Sequence, residues 1–153
     1  MKKQKGFSLI ELLIVVAIIL IIAAIAIPNL LRARMAANEA GAAAGVRTLN
    51  TAEISYQAAN PTVGFVAVLS TLGPGSPCGA TTACLIDTVL ASGTKSGFTY
   101  SVVAGATAGS TYLAKANAQS ASTGTRNFCS AEDAVVRAVP QLSTCTLGSP
   151  ALQ

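Results

Sequence analysis

Hydrophobic and polar positions divide this chain into three stretches. Three lysines, Lys2, Lys3 and Lys5, crowd the start. From Phe7 to Ile27 the side chains are apolar apart from Ser8 and one carboxylate, Glu11, and beyond Pro28 polar residues return at regular intervals. As a helix the middle stretch would span about 32 Å at ~1.5 Å per residue, close to the ~30 Å hydrocarbon core of a bilayer. It is long enough to cross a membrane. The leading lysines and the chain amine place the leader on the cytoplasmic side and the rest outside.

From Asn29 to Ala59 the pattern predicts a continuing helix. Leu31, Met35, Ala42, Val46, Leu49, Ala52, Tyr56 and Ala59 recur three and four apart and make an apolar face. Arg32, Asn38, Glu39, Arg47 and Asn50 are assigned to the opposite side. Gly41 and Gly45 each weaken such a helix by about 1 kcal/mol relative to alanine. Pro28 lacks an amide donor and crowds the preceding turn, so the helix is expected to kink or melt locally there.

Asn60-Pro61 ends this pattern, and composition shifts to Gly, Ser, Thr and Pro. A loop with a short apolar element at Phe65 to Leu72 comes first, interrupted by Pro74, Gly75 and Pro77. A short helix is expected from Thr82 to Ala91, stopped by Gly93. Alternation then predicts strands around Phe98, Tyr100 and Val102 and around Tyr112, Ala114 and Ala116. Arg126 to Cys129 is expected to pair with Val135 to Ala138. The fold class is α+β, a long helix packed on a small antiparallel sheet of three or four strands. Its parts are a leader (1–6), a helix (7–59, the first half to residue 30 apolar, the second amphipathic) and a β-rich head (60–153).

Three simpler accounts of the apolar run compete. A secretory signal peptide with Ala24-Ile25-Ala26 as its cleavage site has a shorter apolar core and no internal acid. The buried core helix of a globular protein has a polar side. A plain membrane anchor explains the length but not Glu11, since an acid at the centre of a spanning helix costs about 2.5–3.5 kcal/mol and less near its end. A cut between Gly6 and Phe7 would supply a partner: a new amine, of ordinary pKa about 7.7–8.0, four residues before Glu11 on the same helical face. That amine can belong to the same chain or to a neighbouring one.

Gly6-Phe7-Ser8-Leu9-Ile10-Glu11-Leu12-Leu13-Ile14-Val15-Val16 resembles the processing and methylation motif of type IV prepilins and of type II secretion pseudopilins. The resemblance covers about the first 30 residues and is specific within them. It implies a fold of the type IV pilin kind. It further implies that a prepilin peptidase cuts after Gly6 and methylates the Phe7 amine, that Glu11 is required for assembly, and that Pro28 is the family's helix-bending proline. Its implied partners are identical or related subunits, the inner membrane, the peptidase and an ATP-driven assembly machine.

Composition adds the rest. Cys78, Cys84, Cys129 and Cys145 all follow the apolar run, where an exported location permits disulfides. Of three possible pairings, Cys78 with Cys84 and Cys129 with Cys145 close local loops and are preferred; free thiols are the alternative. No spacing is Cys-x-x-Cys and histidine is absent, so no metal and no cofactor are expected. The segment from Thr125 to Arg137 resembles a strand-turn-strand of bacterial pilins and major pseudopilins. Calcium-binding pseudopilins carry acids in the C-terminal loop, whereas here residues 138–153 have none. Without its leader lysines the chain has 7 basic against 6 acidic side chains, too even a balance for nucleic-acid binding. No histidine base, Gly-x-Ser-x-Gly or phosphate loop marks an enzyme.

The expectation is therefore a type IV pilus subunit, held in the inner membrane and then assembled into a surface filament. A type II secretion pseudopilin is the alternative within the superfamily, and a membrane-anchored periplasmic binding domain the alternative outside it.

Overall fold

The computed structural model describes residues 7–104 and 109–152. The apolar run and the Ala-rich stretch after it form one helix, α1 (Leu9–Ala59), 51 residues long. It stays helical through Pro28, so the local melting allowed for at that residue does not occur. The chain divides into two compact units, Met1–Arg34 and Met35–Gln153. In the first, none of the described side chains is buried.

The second unit holds the rest of α1, two single-turn helices and a sheet. The helices are α2 (Leu69–Leu72) and α3 (Thr88–Ala91). The strands are β1 (Thr94–Lys95), β2 (Phe98–Ala104), β3 (Tyr112–Ala118), β4 (Arg126–Ala131) and β5 (Arg137–Pro140). All neighbours are antiparallel and lie in sequence order, so the sheet is a meander of five strands, with β1 added to the three or four expected. Together they make an α+β fold.

Alternation sets the inner face of the sheet: Phe98, Tyr100 and Val102 of β2 and Tyr112, Ala114 and Ala116 of β3 are all buried. They share one core with Ala42, Val46, Leu49 and Tyr56 of α1. Close approach of helix and sheet shows at Gly45, where a Cβ would sit 2.6 Å from the Tyr100 ring. β4 is buried on both faces, because its outer residue Cys129 packs with Cys145, Val139 and Leu113. The C-terminal segment adds cover along β5, with Ala138 N–H donating to Pro150 O and Leu152 N–H to Val136 O.

Two expectations need correction. Glu39 and Asn50, assigned to the outer side of the helix, are buried on the side facing the sheet. Burying a polar group is tolerable when its hydrogen bonds are made inside, and both have partners on β3 or at β4. The helix expected from Thr82 shrinks to α3, N-capped by Asp87, whose Oδ1 accepts from Leu90 N–H at 2.7 Å. The residues before it run along α2 instead: Ala83 N–H donates to Thr71 O, Cys84 N–H to Gly73 O and Leu85 N–H to Leu72 O. Those bonds satisfy amides that a helix would otherwise use, and a disulfide between Cys78 and Cys84 closes the loop that leads into them.

Candidate functional site

The first unit presents an apolar rod. Phe7 is 87% exposed, and every large apolar side chain from Leu9 to Leu31 is exposed. Mean hydropathy reaches 3.3 over an 18-residue window of α1 in which no residue is buried. The helix is long and apolar enough to cross a membrane. Glu11 sits in its first turn, where Ser8 N–H donates to Glu11 Oε2 at 2.8 Å. That bond satisfies an amide left over at a helix start, and the negative charge suits the positive end of the helix dipole. Gly6 lies outside the described residues, as do the leader lysines.

In the second unit, α1 carries three polar groups into the core. Glu39 Oε1 accepts from Thr125 N–H at 2.7 Å and from the Thr125 hydroxyl at 2.8 Å, while Oε2 accepts from Arg126 Nε at 2.8 Å. Burial pushes this carboxyl up, but the bonds from Thr125 and Arg126 outweigh it and hold it below the usual range. Asn50 bridges two strands: its Nδ2 donates to Ser130 Oγ at 2.7 Å, and its Oδ1 accepts from the Tyr112 hydroxyl at 3.0 Å. Glu53 is fully buried and accepts one bond, from Val66 N–H at 3.0 Å. Burial raises its pKa to about 7. Burial and the nearby Glu53 charge push the Tyr112 hydroxyl well up.

Two disulfides complete the unit. Cys129 and Cys145 are joined 16 residues apart and buried, while Cys78 and Cys84 close an outer loop 6 residues apart. Tyr56 ties that loop to α1, its hydroxyl donating to Ala80 O at 2.6 Å.

Against known proteins, the prokaryotic N-terminal methylation motif matches residues 1–27. In its N-terminal segment the chain is similar to the type IV pilin and pseudopilin superfamily. The chain is 67% identical over 39 residues to the type IV wide pilus major component PilA4 of Thermus thermophilus, covering 26% of this chain and 30% of that protein. It is 46% identical over 54 residues to the type IV major pilin protein PilA of Myxococcus xanthus, covering 35% of this chain and 24% of that one. The chain thus matches less than a third of the length of either relative. No solved structure matches it.

Within the motif, the structure joins Ser8 to Glu11 at the start of α1, with Phe7 exposed just before it and Pro28 further along the same helix. The cysteines lie in the other unit. Polarity alone gives no role to Glu53 and sets Glu39 on the wrong side. A signal was available for both: Glu39, Ala42, Val46, Leu49, Glu53 and Tyr56 follow one another by three and four, a single stripe in which both acids are members.

Proposed function

We propose that the chain is a structural subunit of a type IV pilus. The observation that carries this reading is the apolar helix from Phe7 to Ile27, exposed throughout the subunit and bearing one carboxylate at its start. A surface of that kind needs lipid or other copies of itself to cover it. Both named relatives are pilus components, and the methylation motif falls on the N-terminal part of this chain.

In this mechanism a prepilin peptidase cuts between Gly6 and Phe7 and methylates the new Phe7 amine. The mature subunit waits in the inner membrane by its apolar helix. On assembly the helices leave lipid and pack on one another, an exchange of apolar surroundings with little net driving force, so a machine supplies energy. Glu11 then pairs with the Phe7 amine of a neighbouring subunit and sets the register. Pro28, with one backbone bond fewer, is where the helix bends or opens under the strain of packing.

The test joins mass and yield. Filament sheared from cells should contain subunits lacking the six leader residues and carrying one added methyl. Glu11→Ala should leave processing intact yet lower the ratio of sheared filament to membrane-bound mature subunit. An unchanged ratio, or a mature chain starting after Ala26, overturns the reading. Loss of protein secretion on deletion of this chain, with no surface filament in the wild type, would favour a pseudopilin instead.

A further inference from the structure

Between α1 and α2 the chain runs over the core as a short segment, residues 60–68, of which Gly64 and Val66 are buried. Asn60 O accepts from Val63 N–H and Gly64 N–H, and Phe65 N–H donates to Gly109 O at 2.9 Å. The Phe65 ring lies 4.7 Å from that of Tyr112. Gly64, at φ +78°, abuts the Gly109 backbone so closely that a Cβ would sit 2.0 Å from its carbonyl oxygen. Beyond that turn Val66 N–H ties the segment to α1 by donating to Glu53 Oε2.

Glu53 is an unusual residue for this post. It is 0% exposed, and among the described residues its Oε1 has no hydrogen-bond partner and its charge no compensating cation. The titratable group facing it is the Tyr112 hydroxyl from β3, itself committed to Asn50 Oδ1, and the charges near Tyr112 are the acids Glu132 and Asp133 from the β4–β5 turn. The segment 60–68 contains no ionisable side chain. A neutral carboxyl can sit in such a place at modest cost, whereas an unpaired anion in a low-dielectric core is strongly disfavoured.

We propose that Glu53 is a pH-operated latch on the segment joining α1 to α2: protonated, it lets the segment lie closed over it, and ionised, it favours an opened segment that admits water to the carboxylate. The direction of the shift at Glu53 agrees, since burial outweighs the Val66 bond, which by itself favours the anion. Because the closed state holds the proton more tightly than the opened one, closure is favoured most in acid, below the carboxyl's ordinary range. It weakens as pH rises towards the closed-state value of about 7 and is constant above it. In that window the opening equilibrium rises about tenfold per pH unit. The latch works on the folded subunit and does not depend on the pilus reading.

The test uses the full chain in detergent micelles. Hydrogen exchange at the Val66 amide, corrected for intrinsic rate, should lose protection about tenfold per unit from about pH 5 to about pH 7 and then level off, while the Ala116 amide in β3 keeps its protection. Glu53→Gln should hold Val66 protected at a constant level across that range. A wild type whose Val66 protection does not vary with pH, or a Glu53→Gln chain that falls as the wild type does, overturns the latch. The wild-type side-chain carbon shift of Glu53 gives a reading that needs no variant. Titration near neutrality is expected, and a midpoint in the ordinary carboxylate range overturns the proposal even if Glu53→Gln fails to fold.

Discussion

Arg126 closes on Glu39 with two nitrogens, Nε and Nη2, each 2.8 Å from Oε2. The residues are 87 apart in sequence, so this contact pins the middle of α1 to the start of β4. Thr125 fills the other oxygen, and Asn38 Nδ2 donates to Thr123 O beside it at 3.3 Å. One carboxylate thereby gathers the turn that leads into β4.

Glu39→Ala removes the acceptor and strands the Thr125 amide. The expected loss is about 1–3 kcal/mol, read as a lower thermal midpoint of the chain in detergent. Arg126→Ala should cost less, because the Arg126 side chain is 48% exposed and water can replace much of what the ion pair offers. The pH dependence has a definite sign. Glu39 is held below its ordinary value, so its contribution is present above the unfolded carboxyl range and is lost as pH falls through the folded one. In acid the Glu39 clamp weakens while closure over Glu53 strengthens.

Two glycines four residues apart on α1 should respond to alanine with opposite signs. At Gly41 a Cβ meets nothing within 4 Å, so Gly41→Ala is expected to stabilise by about 0.5–1 kcal/mol through helix propensity. At Gly45 it would lie 2.6 Å from Tyr100 Cε1 and 2.9 Å from the hydroxyl, and Tyr100 is itself buried. Gly45→Ala should therefore destabilise by about 1–3 kcal/mol. Thermal unfolding of the two variants side by side decides it; a gain at both positions would mean Tyr100 yields freely.

The disulfides should differ in weight. The Cys129–Cys145 bridge spans 16 residues and lies in a buried cluster, whereas Cys78–Cys84 spans 6 at the surface. By loop entropy the first contributes about 3 kcal/mol and the second about 2, and the cavity left by opening the buried pair widens the gap. Replacing each pair with serine and comparing thermal midpoints should rank them in that order, with Cys78→Ser/Cys84→Ser also loosening the loop that Tyr56 holds.

Local chemistry makes some elements legible in the chain alone. The prepilin-like junction, the membrane-length run and the α+β division are all written in adjacent residues. Runs of apolar side chains and alternation in β2 and β3 depend on period alone, and the β4–β5 hairpin is marked by the turn between its strands, although its register, with Phe128 opposite Ala138 and Cys129 opposite Arg137, is shifted by two residues from a pairing of Arg126–Cys129 with Val135–Ala138. Such features need no knowledge of what lies across the core.

Tertiary structure decided which polar residues go inside. Spacing places Glu39 and Glu53 on the stripe that carries Val46 and Leu49, yet polarity argues for the outer side, and sequence offers no way to weigh the two. The balance turns on partners far along the chain: Thr125 and Arg126 for Glu39, Tyr112 and Ser130 for Asn50, and Val66 N–H for Glu53. The same holds for Thr82 to Asp87, whose non-helical course depends on carbonyls of α2 and Gly73 that happen to lie beside it. A buried carboxylate is tolerable only where folding delivers donors to it, and that delivery is a property of the assembled core.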